Sequence, residues 1–403
     1  MIIVVQRFLV RIFIIALFCP RRNKQHLARE NILVLKSGGL GDFLFAIPSF
    51  NLLQKNSQNR DFALLTYNSV FGSHTANMAK KKLDGVPWLE LVEHQFSTVH
   101  ILDDLRLTSI RKLRREFQET AYDSVILMPC PGEPFYTTMK RLLLLRLLGL
   151  RRCDVYGIGQ DYSTSFFRKY HAQWGIARHK IYGPWRAVEE FLSSDVEISD
   201  SYLQMEFGEP TKFANISSLF KKLDMAIDRY VLVSPGSIAP WKNWGIENFL
   251  MLIERLAPTL KTKGVSILIA GPPSDSVLAQ ELKILDNIVD ICGRYTIPEL
   301  AAIHRGAICS LAVDGGAAHL AGFSGGNVIS LSNGGEEPGV VTPVGANVIE
   351  HRHLTACTPC FGMDKCPLEH SSCVRDIKVD EVLKSILAFV EGTDYIHSKV
   401  GSQ

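Results

Sequence analysis

Asp42 stands where a general base would be wanted. It follows Ser37-Gly38-Gly39-Leu40-Gly41, which is preceded by the apolar run Ile32-Leu33-Val34-Leu35 and followed by an apolar segment with Pro48 six residues on. The uninterrupted run suits a strand buried on both faces. Three glycines suit a turn in conformations closed to other residues, and the segment opened by Asp42 has helical length. Ligands of open α/β sheets bind beyond the carboxyl ends of the strands, so a carboxylate on this turn is placed for chemistry. The competing reading is a helix cap, a role the residue type favours and one worth about 1 kcal/mol.

Cys357, Cys360, Cys366 and Cys373 form a second constellation, C-x2-C-x5-C-x6-C. Four thiols this close suit a tetrahedral metal, and the first pair has ligand-like spacing; the alternative is four unligated thiols. The remaining cysteines, Cys19, Cys130, Cys153, Cys292 and Cys309, are scattered and expected to be structural.

The elements that must position these groups read as two α/β halves. At 403 residues the chain is too long for one ordinary core. In the first half, Phe62 to Thr66, Val99 to Leu102 and Ser124 to Met128 read as strands. Ser49 to Asn56, Ser109 to Gln118 and Lys180 to Leu192 read as helices, and Tyr202 to Phe207 as a last strand. Pro210 to Asp228 reads as a bridge. The pattern then restarts: strand Tyr230 to Ser234, turn Pro235-Gly236-Ser237, helix Ile246 to Leu260, and strand Val265 to Ala270 ending at Gly271. A helix over Pro298 to His304, strand Cys309 to Val313, turn Asp314-Gly315-Gly316 and segment Ala317 to Phe323 follow. Val328 to Leu331 is a strand leading to Ser332-Asn333-Gly334-Gly335, and Asp380 to Val390 is the closing helix. Strands alternating with helices predict parallel βαβ units, hence two doubly wound domains, 30–209 and 229–390, facing across a cleft.

Charge narrows the partners. Lys plus Arg number 44 against 41 Asp plus Glu, a net charge of +3, which gives no reason to expect a nucleic acid. Two spans concentrate cations, one with Arg106, Arg111, Lys112, Arg114 and Arg115, the other with Lys140, Arg141, Arg146, Arg151 and Arg152. They read as solvated helix faces or, where leucines interleave, as a surface toward anionic lipid or an anionic acceptor. Residues 1–22 are apolar but interrupted by Arg7 and Arg11, too short a run to span a bilayer and suited to lying in the membrane interface. A peripheral anchor on the cytoplasmic face is the expectation, with a signal peptide, for which no small-residue cleavage site follows, as the alternative.

Three motifs now form an ordered set: Ser37-x-x-Leu40-Gly41-Asp42 with Pro48, Trp241-Lys242-x-Trp244 after the Pro-Gly-Ser turn, and Asp314-Gly-Gly-x-x-His319-Leu320-Ala321. With these the chain resembles glycosyltransferase family 9, the ADP-heptose:lipopolysaccharide heptosyltransferases, over roughly Asn31 to Val390. The resemblance implies a GT-B fold with acceptor bound by the first half and nucleotide-sugar by the second, and an inverting, metal-independent transfer. By position, Asp42 matches the catalytic base, on a turn whose Ser37, Gly39 and Gly41 lie on the acceptor side. Lys242 matches the lysine at the donor phosphates, with Ser237 a hydroxyl donor to them. Asp314, Gly315, Gly316, His319 and Gly271 complete the donor side, Asp314 near sugar hydroxyls or else capping its helix, His319 a phosphate contact or a packed histidine. Some relatives bind iron at a similar cysteine cluster, so a structural iron or zinc is expected here, with no cofactor required for catalysis.

Two departures bear on the donor. Gly315-Gly316-Ala317-Ala318 replaces the usual Ser-Gly-Pro-Met, removing a hydroxyl. Ser274 stands where an acidic residue usually holds the ribose, with Asp275 one later. The implied reaction is transfer of heptose from ADP-heptose to a lipid-linked glycan, with another nucleotide-sugar or a non-catalytic nucleotide-sugar-binding protein as alternatives. A dinucleotide-dependent oxidoreductase is disfavoured because Gly39-x-Gly41 lacks the third glycine of the phosphate fingerprint.

Overall fold

The computed structural model describes residues 29–67, 86–102, 104–128, 135–151, 153–157, 179–203, 205, 216–221, 227–237, 239–360, 366 and 371–392. The apolar segment 1–22, Cys19, Cys130 and the turn 129–134 lie outside the described residues. The chain divides into two compact units, Met1–Tyr202 and Leu203–Gln403. Among the described residues no helix is long and apolar enough to cross a membrane.

In the first unit, β1 (Glu30–Lys36), β2 (Arg60–Tyr67), β3 (Thr98–Leu102), β4 (Ser124–Met128) and β5 (Asp154–Tyr156) form a sheet in the order β3-β2-β1-β4-β5. Every pairing is parallel. Such a sheet must be covered on both faces, which is why its inner strands are continuous apolar runs. Leu33, Leu35, Ala63, Leu65, Val125 and Leu127 point to one face, where they meet Ile110, Leu113 and Phe117 of α3 (Leu107–Thr120), Leu142 and Leu145 of α4 (Phe135–Leu147), and Leu148 just past it. The short α1 (Leu40–Leu44) and α2 (Ile47–Lys55) follow β1, and α5 (Tyr182–Leu192) packs on β4, β5 and α2.

The second unit repeats the winding with six parallel strands: β6 (Tyr230–Ser234), β7 (Ser266–Ile269), β8 (Ile288–Asp290), β9 (Ser310–Val313), β10 (Val328–Ser332) and β11 (Val348–Arg352), ordered β11-β10-β9-β6-β7-β8. Alternation along the strands divides the core. Val231, Val233, Ile267, Ile269, Leu311 and Val313 pack with α6 (Ile246–Thr262) and α10 (Val379–Glu391). Tyr230, Leu232 and Leu268 pack on the other face, with α8 (Ile297–Gly306). Between α6 and α8 lies the short α7 (Ser276–Leu282), and α9 (Gly316–Phe323) follows β9. Thr296 caps α8 with a reciprocal box: its hydroxyl accepts from Glu299 N–H while the Glu299 carboxylate accepts from Thr296 N–H.

Each sheet has one topological switch point, between β1 and β4 and between β6 and β9, and all strand carboxyl ends within a sheet lie on one edge. Three sequence expectations change. Of the strand expected over Tyr202 to Phe207, Tyr202 and Leu203 belong instead to the helix Asp200–Leu203, while 204, 206 and 207 lie outside the described residues: Tyr202 N–H bonds to Ser199 carbonyl (2.9 Å), and the Tyr202 ring packs edge-on against Trp185 at 5.1 Å. The bridge contains a helix, Ile216–Lys221, whose Leu219 and Phe220 are buried against Tyr230. The short edge strands β5, β8 and β11 were not expected, because three to five residues of partial burial carry little periodicity.

Candidate functional site

The β1 turn brings Ser37, Gly38, Gly39, Gly41 and Asp42 to the carboxyl edge of the first sheet. Only Gly38 uses the left-handed region, at φ +130°; Gly39 is extended in ψ at φ −73°, and Gly41 lies inside α1. The expectation of three glycines in special conformations is thereby reduced to one, since helix α1 starts two residues after the turn. A Cβ on Gly38 would meet Asp42 Cβ at 2.7 Å and Oδ2 at 3.1 Å, so the absent side chain is what lets Asp42 fold back over the turn. There Asp42 Oδ2 accepts from Gly39 N–H at 3.4 Å, a long bond, and the residue remains partly exposed. The capping role is therefore present but weak.

Behind the turn lies a residue that sequence reasoning placed on the surface. Arg141 of α4 is 2% exposed; its Nε donates to Tyr67 Oη at 2.7 Å and its guanidinium to Ser37 Oγ at 3.1 Å. It ties the ends of β1 and β2 to α4. A charge run read along the sequence hides this, because Arg141 is flanked by Lys140, exposed, and Leu142, buried; helical position alone separates the three.

In the second unit the switch point holds a tighter cluster. Pro240–Lys242 forms one turn of 3-10 helix after β6, and Lys242 Nζ donates to Asp314 Oδ2 at 2.9 Å at the end of β9. The same oxygen accepts from Asn333 Nδ2 at 2.6 Å, at the end of β10, and Asn333 Oδ1 in turn accepts from Gly335 N–H at 2.6 Å. His319 Nε2 stands 3.8 Å from Asp314 Oδ1. Three loops from adjacent strands thus converge on one carboxylate. Asp314 is buried and the Lys242 side chain is 30% exposed, so the cation is the reachable partner. Asn333 was read from sequence only as part of a turn; the available signal was its position at the carboxyl end of a strand.

Other expected donor-side residues are distributed around this cluster. Ser237 Oγ accepts from Ala239 N–H at 3.2 Å, closing a local turn, and is partly exposed. Gly315 is fully extended (φ 171°) and Gly316 begins α9. The first backbone N–H groups of that helix have no intrahelical acceptor and carry partial positive charge, which suits an anion. His319 is buried inside α9, packed beside Asp314. Trp241 is partly exposed, but Trp244 is core: fully buried, edge-on to Phe249 at 4.9 Å, its Nε1 donating to Ile377 carbonyl at 3.0 Å. The Trp-Lys-x-Trp motif thus anchors the loop through Trp244 and presents Lys242.

Asp275, the acid one position after Ser274, is held at the sheet edge. A Cβ on Gly236 would fall 1.8 Å from its Oδ2, and one on Gly271 2.5 Å, so the carboxylate is nested between the ends of β6 and β7. Burial raises its pKa, with the Ser274 hydroxyl opposing. The acid one position late in sequence reaches the sheet edge because Pro273–Asp275 is a 3-10 turn.

The four cysteines gather beside the end of β10. Cys360 N–H donates to Gly334 carbonyl (2.9 Å), a Cβ on Gly334 would lie 3.4 Å from Cys373 Sγ, and Cys357 Sγ is 3.2 Å from Thr355 Oγ1. All four thiols are free, and burial raises Cys373, with Cys360, Cys366 and Cys357 adding to the rise. The donor chemistry suits iron or zinc. The arrangement does not: among the described residues no three Cys, His, Asp or Glu side chains are placed to hold one ion. Cys153, Cys292 and Cys309 are buried, as structural thiols are.

Similarity to known proteins agrees with this geometry. The family model for glycosyltransferase family 9 (heptosyltransferase) matches residues 110–370. No curated protein sequence matches the chain. Among solved structures, Escherichia coli ADP-heptose LPS heptosyltransferase II is similar in fold at a TM-score of 0.63 and 13% identity, over 90% of this chain and 99% of that one. A family 9 glycosyltransferase from Veillonella parvula DSM 2008 gives 0.64 and 15%, over 92% and 100%. The iron-containing dodecameric glycosyltransferase TibC of enterotoxigenic E. coli H10407 gives 0.51 and 12%, over 90% and 77%. Two parallel α/β units are the architecture of these GT-B enzymes, and with the family model covering well over half its length, the chain belongs to glycosyltransferase family 9, the heptosyltransferases.

Proposed function

We propose that the protein is an inverting glycosyltransferase that moves heptose from ADP-heptose to a lipopolysaccharide-core or related glycan hydroxyl at the cytoplasmic face of the inner membrane. The observation that carries this reading is the Lys242–Asp314–Asn333 cluster at the second switch point, where a reachable ammonium and a held carboxylate lie beside the N-terminus of α9. Asp42 takes the proton of the acceptor hydroxyl as its oxygen bonds to the anomeric carbon, and the bond from that carbon to the diphosphate breaks. ADP leaves with the electron pair. Lys242 and the α9 N–H groups neutralise it, so charge is balanced by the chain's own groups.

The ion pair supplies a physical sequence for donor entry. Lys242 exchanges Asp314 for the diphosphate, while Asn333 keeps the Asp314 carboxylate in place to accept from sugar hydroxyls. Asp275, whose pKa burial raises, lies one strand away at the ends of β6 and β7 and in this reading accepts from a ribose hydroxyl. The relative named as an ADP-heptose enzyme supports the donor class. The replacement Gly315-Gly316-Ala317-Ala318 favours a second reading, a different nucleotide-sugar on the same site.

The four cysteines are outside this chemistry, and metal analysis of purified protein tests whether they hold a structural iron or zinc. The function itself is tested by offering a panel of nucleotide-sugars and following melting temperature and product. ADP-heptose should raise the melting temperature by mass action and be consumed. Stabilisation by a different nucleotide-sugar would transfer the assignment to that donor, and binding without turnover would mark a non-catalytic protein.

A further inference from the structure

We propose that the outer face of α3 and α4 is a docking surface for an anionic lipid bilayer. Both helices cover the same side of the first sheet, and they adjoin: Arg114 of α3 lies 3.5 Å from where a Cβ on Gly149, just past α4, would stand. All the large hydrophobics exposed among the described residues of this unit fall on β3, α3, the loop between them, or α4. Leu107 is 68% exposed, Leu143 50% and Leu147 48%. Soluble surfaces scatter such residues singly, so their concentration points to a partner.

Charge selects the partner. Leu107, Arg111 and Arg114 form one stripe of α3 at helical spacing, and Lys140, Leu143 and Leu147 one stripe of α4. From 135 to 153 there is no acidic residue; of the two acids of α3, Glu116 is turned to the His100 ring at 3.1 Å and Glu119, exposed near the helix end, lies off the Leu107–Arg111–Arg114 stripe. Cations alone would fit any polyanion. Leucines between them fit a surface that is anionic at the headgroups and apolar just beneath, which is the bilayer interface. The leucines sit on the helices' outward side while their inward leucines fill the core, so the face is formed without loosening the fold. The surface is separate from the β1 turn, and the inference stands or falls independently of the catalytic reading.

The test uses the full chain with vesicles of phosphatidylcholine alone and vesicles containing phosphatidylglycerol. Partitioning should be at least tenfold stronger on the anionic vesicles. Leu143→Ser with Leu147→Ser, and separately Arg111→Glu with Arg114→Glu, should each weaken it about tenfold or more, since each cation near an anionic surface contributes roughly a fivefold gain. Melting temperatures should stay unchanged, as expected for exposed positions, and so should transfer to a soluble acceptor. Equal binding to both vesicle types, or wild-type binding by both double variants, would overturn the proposal. Loss of binding in the charge variant alone, with nucleic acid competing fully, would assign the face to a soluble polyanion instead and equally overturn it.

Discussion

The two switch points are built on the same winding and hold their carboxylates differently. At β1/β4, Asp42 rides on a five-residue helix, partly exposed, held by one long bond to Gly39 N–H. At β6/β9, Asp314 is buried and gripped from two neighbouring loops by Lys242 and Asn333 at 2.9 and 2.6 Å. A base must exchange a proton with a substrate and needs a reachable, lightly held carboxylate. A binding residue gains from being fixed before the ligand arrives. In the proposed reading, the same topology serves a chemical role in one unit and a positioning role in the other.

Asp42→Asn should separate the roles most sharply. It keeps the side-chain shape and removes the proton acceptor, so turnover should fall by about 10²–10⁴-fold, measured as product formed under saturating donor. Lys242→Met should lower turnover by about 10²–10³-fold and also weaken donor binding, because leaving-group charge is then unbalanced. If Lys242→Met changed neither quantity, the second switch point would be structural only.

Smaller effects probe the supports. Gly38→Ala places a methyl against Asp42 in a backbone conformation that costs about 1–2 kcal/mol, so both stability and turnover should drop, whereas Gly39→Ala, where a Cβ meets nothing within 4 Å, should be much milder. Acid should weaken the second unit. His304 is fully buried, bonded through Nδ1 to Ser310 Oγ at 2.9 Å, and burial lowers its pKa to about 3. The unfolded state therefore binds the extra proton between about pH 6.5 and 3, and stability is lost as pH falls through that window, by at most about 1.4 kcal/mol per unit. His304→Gln should flatten the acid limb of a melting-temperature profile; an unchanged slope would show that other groups carry it.

Much of the fold was legible because buried parallel strands are written as unbroken apolar runs, as in Ile32 to Leu35 and Tyr230 to Ser234, and their turns as Gly and Pro. The turns that carry Asp42, Lys242 and Asp314 were legible through order and spacing, each following its strand, β1, β6 and β9. Arg141 and Asn333 were not, because their roles depend on contacts across 104 and 19 residues of sequence to Ser37 and Asp314. Trp244 shows the converse: read only as part of the motif around Lys242, it is a core residue whose ring packs on Phe249. Residues on one motif can divide between packing and presentation, and periodicity does not say which is which.

The division of labour between the two carboxylate sites is tested most directly by titrating ADP into wild type, Asp42→Asn and Lys242→Met in a calorimeter. The account predicts that Asp42→Asn binds ADP as wild type does, and that Lys242→Met binds it at least about tenfold more weakly. Loss of ADP binding in Asp42→Asn together with wild-type binding in Lys242→Met would contradict it.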